Sequence, residues 1–187
     1  DPLTYVWTEE GKTIAGPTAE ANVQITLPLG QHNLTLEVSD GRGGVSSDPV
    51  TVVVRDTTPP DLSAPPSITA EQTSRDGTPV DLGAASVSDI CDANPNVANN
   101  APRVFPLGTT TVTWTATDAS GNRSTDQQCV TIKDTTPPDL NVPDGITVEQ
   151  ETSNGTKVPF EVTATDICDA DPLVVCQPPS GTEFPLG

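Results

Sequence analysis

A single heptapeptide constrains this chain more than any other feature. Asp56-Thr-Thr-Pro-Pro-Asp-Leu62 recurs as Asp134-Thr-Thr-Pro-Pro-Asp-Leu140, an offset of 78 residues. Cys91-Asp-Ala-Asn-Pro95 returns as Cys168-Asp-Ala-Asp-Pro172 at an offset of 77, and Phe105-Pro-Leu-Gly108 as Phe184-Pro-Leu-Gly187 at an offset of 79. A fainter copy, Leu27-Pro-Leu-Gly30, lies 78 residues before Phe105-Pro-Leu-Gly108. A period this long exceeds a solenoid turn and lets each copy bury its own small core, so it means tandem domains. The expected boundaries are 1–55, 56–133 and 134–187. Only the middle copy spans a whole period. The first is expected to lack its opening strands and the last its closing strands, as in a segment cut from a longer polypeptide. Two half-domains would otherwise leave strand edges and core faces open.

The periodicity within each copy is that of strands. Thr111-Val-Thr-Trp-Thr-Ala-Thr-Asp118 alternates strictly, with Val112, Trp114 and Ala116 on one face and Thr on the other. Leu34, Leu36 and Val38 repeat the pattern in the first copy, and Val158, Phe160, Val162 and Ala164 form an alternating strand in the third. In the middle copy Val80 and Leu82 share one parity while Ala85 and Val87 share the other. The switch falls at Gly83-Ala84, where one inserted residue, a β-bulge, also accounts for the drop in offset from 78 to 77. Strands are expected near Ile68–Glu71, at Val80–Asp89, near Val97, near Phe105, at Thr111–Asp118 and at Gln128–Lys133. No segment has a helical period. Short strands separated by Pro/Gly turns indicate an all-β sandwich of immunoglobulin type. Pro59-Pro60 and Pro137-Pro138 fix φ and make semi-rigid spacers, so the tandem domains are expected to form an extended rod.

Charge narrows the function. Lys and Arg number 8 against 26 Asp and Glu, a formal charge of −18. Such a surface repels phosphate, so nucleic acid is excluded as a partner. No apolar run approaches the roughly 18–20 residues that span a bilayer. His32 is the only histidine, so a His-based triad has one candidate base at most. The chain is expected not to be an enzyme.

The Asp-Thr-Thr-Pro-Pro linker, the run Phe105-Pro-Leu-Gly-Thr-Thr-Thr-Val-Thr-Trp-Thr-Ala-Thr-Asp-Ala-Ser-Gly-Asn122 and a Cys early in the last strand resemble the hyalin repeat, or HYR domain, over residues 56–187. Tyr5-Val-Trp7, Pro28-Leu-Gly30 and Val38-Ser-Asp-Gly-Arg-Gly-Gly44 are more similar to PKD or related immunoglobulin-like repeats. The resemblance implies an immunoglobulin-like sandwich on an extracellular protein, in tandem and associated with adhesion, without catalytic activity. It also implies that a Cys of the strand near Val97 pairs with one in the strand Thr111–Asp118. Trp114 stands at that latter position in the middle copy.

Four cysteines in an acidic β protein suit an oxidising compartment. In an immunoglobulin-like topology the loop carrying Cys91 and the loop before Cys129 share a pole, so a Cys91–Cys129 disulfide is expected. It would close 38 residues and contribute about 3–4 kcal/mol. The partners of Cys168 and Cys176 are expected outside this sequence, with a Cys168–Cys176 bond as the fallback.

The carboxylates are placed by the same topology. Asp56, Asp61, Asp89, Asp92 and Asp118 should converge at the first junction, and Asp134, Asp139, Asp166, Asp169 and Asp171 at the second. Like charges so gathered repel unless a cation neutralises them, and hard oxygen ligands suit Ca²⁺. The bland alternative is that each Asp caps its own turn. Asn33, Asn122 and Asn154 open N-glycosylation sequons. The resulting expectation is a structural or adhesive segment of a secreted or cell-surface protein, with joints rigidified by Ca²⁺. Its expected partners are other copies of itself, extracellular matrix or cell-surface ligands, and glycans. The alternative is a non-catalytic carbohydrate-binding or spacer module of a secreted enzyme, which would need an exposed aromatic platform.

Overall fold

The computed structural model describes residues 2–185. The described residues form strands and loops with no helix. Contacts divide the chain into two compact units. The first takes the chain to Pro60 together with the loops Ser88–Pro95 and Thr117–Arg123; the second takes Asp61–Val87, Asn96–Ala116 and the chain from Ser124.

In the first unit β1 (Thr4–Glu9), β2 (Lys12–Thr18), β3 (Gly30–Ser39) and β4 (Val45–Val54) make one antiparallel sheet in the order β2-β1-β3-β4. Directly opposed residues share a face. The pairs Trp7↔Leu36, Leu34↔Val50 and Tyr5↔Val38 therefore gather the apolar side chains on one side. Leu34 is buried and most of the others are half-buried.

The second unit holds the core. It contains β5 (Asp61–Ser63), β6 (Ile68–Glu71), β7 (Ser86–Ser88), β8 (Asn96–Asn99), β9 (Gly108–Thr117) and β10 (Arg123–Lys133). One sheet runs β6-β10-β9-β8 and the other pairs β5 with β7. Between β5 and β6 lies Ala64-Pro-Pro-Ser67. Proline removes ladder donors, so the chain leaves the first sheet there and joins the second, where β6 runs parallel to β10. Val112, Trp114, Val130 and Ile132 are buried with Phe105, and Leu62, Ala64, Val80, Leu82 and Ala85 pack across from them. Gln128 is buried yet satisfied. Its Oε1 accepts from Trp114 Nε1 at 3.2 Å, and its Nε2 donates to the carbonyls of Pro66 at 2.8 Å and Leu82 at 3.1 Å.

The third repeat contributes β11 (Asp139–Asn141), β12 (Thr156–Lys157), β13 (Thr163–Thr165) and β14 (Glu183–Phe184), in the pairs β11-β13 and β12-β14. Gly77 and Gly155, 78 residues apart, both have positive φ, and a Cβ there would press on the carbonyl of Phe105 or Phe184. Glycine at this position lets the two backbones meet in each repeat.

Several expectations differ from the structure. Val80–Ala85 is not strand, and neither is Val158–Val162. Pro79 and Pro159 each remove a donor. Gly83 turns the chain at φ +77 with its N–H donated to Asp81 Oδ1, so the parity switch is a turn and not a bulge. The last strand of the middle repeat begins at Arg123, five residues before the expected Gln128. Cys129 therefore sits six residues into β10, a rise of roughly 20 Å from its start at ~3.3 Å per residue. All four cysteines are free, and the Cys91–Cys129 and Cys168–Cys176 bonds are not formed.

Candidate metal centre

Two clusters of ligand-bearing side chains stand out among the described residues. In the first, carboxylate oxygens of Asp56, Asp89 and Asp118 all lie within 4.8 Å of one another. Asp56 comes from the Pro-Pro linker, Asp89 from the end of β7 and Asp118 from the end of β9. All three belong to the first compact unit. Asp118 is buried and the other two are half-buried.

Each aspartate caps its own backbone with one oxygen. Asp89 Oδ1 accepts from the N–H groups of Cys91 and Asp92, both at 2.8 Å. Asp56 Oδ1 accepts from Thr58 N–H at 3.1 Å. Asp118 Oδ1 accepts from Asn122 N–H and Oδ2 from Asn122 Nδ2, both at 2.8 Å. Asn122 Nδ2 also donates to the Asp56 carbonyl at 3.3 Å, tying linker to loop. Asp92 joins the two loops differently: its Oδ2 accepts from Ala119 N–H at 2.9 Å. Turn-capping and ligation are thus compatible, because a carboxylate has more lone pairs than the cap uses. Burial pushes the Asp118 carboxyl up, and the bonds from Asn122, Gly121 and Ser120 outweigh it, holding the group below its ordinary range.

The second cluster joins Asp134, Asp166 and the thiol of Cys168 within the same 4.8 Å. Asp166 Oδ1 accepts from Cys168 N–H at 2.7 Å and Asp169 N–H at 2.6 Å, repeating the Asp89 turn. Arg75 Nη2 donates to the carbonyls of Asp166 at 3.1 Å and Asp169 at 2.7 Å. The bonds from Asp169 and Cys168 hold the Asp166 carboxyl down, with the Arg75 charge adding to them against burial. Beside this cluster Glu71 grips the second linker. Its carboxylate accepts from Thr135 N–H at 2.6 Å and Oγ1 at 2.9 Å, and from Thr136 N–H at 3.1 Å and Oγ1 at 3.0 Å.

Asp61, Asp92, Asp139, Asp169 and Asp171 belong to neither cluster. Sequence reasoning missed the thiols. Cys91 and Cys168 each follow the clustered aspartate by two residues, and that spacing was the available signal. Desolvation pushes both thiols up, and the charges of Asp56 and Asp89 around Cys91, and of Asp134 and Asp166 around Cys168, push them further. Both are protonated thiols at neutral pH, poor nucleophiles. Glu71 and Arg75 were also missed; nothing in their local sequence marks them.

Of the sequon residues, Asn33 and Asn154 are exposed, while Asn122 is half-buried and spends its amide on Asp118 and Asp56. His32, the only histidine, is buried. Its Nδ1 lies 2.7 Å from Glu9 Oε1 and its Nε2 lies 2.8 Å from the Pro28 carbonyl oxygen. No helix among the described residues is long and apolar enough to cross a membrane.

The two packed sheets of the middle repeat, with a strand that crosses from one sheet to the other, define an immunoglobulin-like β-sandwich, and the internal period makes it a tandem array. The HYR domain model matches residues 55–132 and again 133–187, so the chain belongs to the HYR domain family. It is 34% identical to hyalin of Strongylocentrotus purpuratus over 159 residues, covering 80% of this chain and 13% of that protein. It is 31% identical to hyalin of Lytechinus variegatus over 181 residues, covering 86% of this chain and 33% of that protein. The chain thus spans a third or less of these relatives. Among solved structures, human CDH23 EC21-23 aligns with a TM-score of 0.39 at 13% identity, over 87% of this chain and 73% of that one. The human desmocollin-1 ectodomain aligns with a TM-score of 0.27 at 14% identity, over 88% and 39% respectively.

Proposed function

We propose that this chain is a structural, adhesive segment of an extracellular tandem-repeat protein, and that Ca²⁺ bound by Asp56, Asp89 and Asp118 stiffens its first linker. The observation that carries the metal reading is the spacing of the three carboxylates. Two oxygens that each lie about 2.4 Å from one ion are at most about 4.8 Å apart, because Ca²⁺–O distances run about 2.3–2.6 Å. The cluster meets that limit. The donors are hard oxygens, which fit Ca²⁺, and carbonyls and water complete a shell of about 6–8. A bound ion ties the linker to the loops after β7 and β9. It also offsets the repulsion of three clustered charges.

The role is mechanical and not catalytic in this reading. The chain's partners are other copies of itself and matrix or cell-surface ligands. N-glycans sit at the exposed Asn33 and Asn154. The carbohydrate-binding alternative needs an exposed aromatic platform, and both Trp114 and Phe105 are core residues.

Calorimetric titration of the whole chain with Ca²⁺ is the test. Saturable binding is expected, with a rise in melting temperature over the same chain in EDTA. An absence of both would sink the calcium reading.

A further inference from the structure

The Pro137-Pro138 linker between the middle and third repeats fixes only part of its own path. Each proline locks φ and leaves ψ free to turn. Domains joined by such a spacer move relative to one another unless contacts across the joint hold them. Both sides of this joint lie in the second compact unit, and side chains from the end of β6 cross it.

Glu71 is paired with Lys133 at the end of β10, and Gln72 N–H donates to the Lys133 carbonyl at 2.7 Å. The Glu71 side chain therefore stands where the chain leaves the middle repeat. Its Oε1 accepts from the N–H groups of Thr135 and Thr136 and from the Thr136 hydroxyl, and its Oε2 accepts from the Thr135 hydroxyl. Arg75 follows in a turn that is itself fixed. Gly77 N–H donates to the Ser74 carbonyl at 3.2 Å and Asp76 N–H to Ser74 Oγ at 3.0 Å. From that turn the guanidinium reaches the loop after β13 and donates to the carbonyls of Asp166 and Asp169. The receiving loop is held in shape by the Asp166 carboxylate, which accepts from Cys168 and Asp169 N–H. A further contact comes back the other way: Cys168 Sγ lies 3.8 Å from the Gln72 carbonyl oxygen.

We propose that Glu71 and Arg75 of the middle repeat lock the third repeat in one orientation without a metal ion. The contacts fall on separate places, the linker at Thr135 and Thr136 and the loop at Asp166, Cys168 and Asp169, so turning one linker ψ cannot keep them all. Both grips are charge-assisted, the stronger class of hydrogen bond. The Arg75 charge also favours the ionised Asp166, so a side chain of the protein itself offsets repulsion in the cluster of Asp134 and Asp166. At an offset of 78, Glu71-Gln72 recurs as Glu149-Gln150, whereas the position of Arg75 is taken by Ser153. The glutamate is thus common to the two copies, and the arginine belongs to the middle one. The lock concerns the second linker and does not rest on calcium at the first, so it is tested in EDTA.

The experiment measures amide N–H residual dipolar couplings of the whole chain, weakly aligned at neutral pH in EDTA. The couplings of β11, β13 and the loop 166–169 are expected to fit the alignment tensor set by β6, β9 and β10. Arg75→Ser gives the turn the residue that its third-repeat copy carries, and Glu71→Gln keeps the side chain's shape, so the middle repeat should fold in both. In the double variant the third-repeat couplings should shrink and leave the common tensor, while those of β6, β9 and β10 stay. Each single variant should show a smaller loss of the same kind. Should the third repeat lose its dispersed chemical shifts in the double variant, the single variants decide. Wild-type couplings that need a separate tensor for the third repeat overturn the proposal. So does a common tensor that appears only after Ca²⁺ is added. Variants that keep their dispersed shifts and still fit the wild-type tensor overturn it as well.

Discussion

β3–β4 and β9–β10 are the same hairpin set 78 residues apart, with the same alternation and the same turn aspartate, yet they behave differently. In β9 and β10 the inner face is sealed; in β3 and β4 only Leu34 and His32 are buried. In the middle repeat the layer that seals the face is Leu62, Ala64, Val80 and Leu82. An alternating strand specifies which face is apolar, and a second sheet decides whether that face becomes a core.

The sharpest way to break this comparison is to truncate the matched residues Trp114 and Leu36. Trp114→Ala removes a buried ring and leaves Gln128 Oε1 without its donor. The expected loss is about 3–5 kcal/mol. Leu36→Ala removes a half-buried side chain and should cost about 1–2 kcal/mol. Urea unfolding of the two variants measures both; equal losses would mean that the two hairpins are covered alike.

The turn aspartates give the next contrast. Asp118 and Asp40 both follow their strand and both cap the turn, Asp40 through Oδ1 to the N–H groups of Arg42 and Gly44. Only Asp118 meets two further carboxylates. Asp118→Asn should therefore abolish the calcium-dependent rise in melting temperature, and Asp40→Asn should leave it intact. A hundredfold excess of ion over its Kd would be worth about 2.7 kcal/mol to the wild-type chain. Loss of the effect in both variants would reduce Asp118 to a turn cap.

The linkers that leave the two hairpins are held differently too. Thr58 N–H is held by Asp56 and Thr136 N–H by Asp134 at 3.3 Å, and in the second linker Glu71 adds four further hydrogen bonds to Thr135 and Thr136. Glu71→Gln should speed amide exchange at Thr135 and Thr136 and leave Thr58 unchanged. The N–H of Thr135, then its hydroxyl and the groups of Thr136, hold the Glu71 carboxyl below its ordinary range. The grip is therefore complete above the ordinary glutamate pKa and is lost as pH falls through the lower folded value. Exchange that rises already near neutral pH would contradict it.

These contrasts show what was legible. The period and the β9 face follow from spacing and alternation, and the approach of Asp56, Asp89 and Asp118 from the loop arrangement of an immunoglobulin-like topology, while Asp61 and Asp92, expected with them, lie outside the cluster. The start of β10 does not follow, because Arg123-Ser-Thr-Asp-Gln127 is polar on both faces and becomes strand only by pairing with β9. That misplaced start also put Cys129 at the wrong end of its strand. Val80–Ala85 and Val158–Val162 alternate like strands yet are not strands, because apolar alternation says nothing about whether a hydrogen-bonding neighbour exists. Arg75 and Glu71 reach residues more than sixty positions away in sequence, which no local pattern encodes.

The smallest expected effect separates the hairpins by pH. His32 of β3 corresponds to Thr110 of β9, so one hairpin carries a titratable group where the other carries a hydroxyl. The Pro28 carbonyl, then the Glu9 carboxylate, favour a doubly protonated ring and raise the His32 pKa above 6.5 against the opposing effect of burial. A group whose pKa is raised on folding stabilises fully below its unfolded value and loses that contribution as pH rises through the folded value. The first unit should therefore weaken as pH climbs from about 6.5 past the raised value, while the core around Trp114 does not. Following the His32 ring protons by NMR titration checks the direction, and His32→Gln should flatten the pH dependence of the first unit alone. A His32 that titrates below 6.5 would show that burial outweighs its two acceptors.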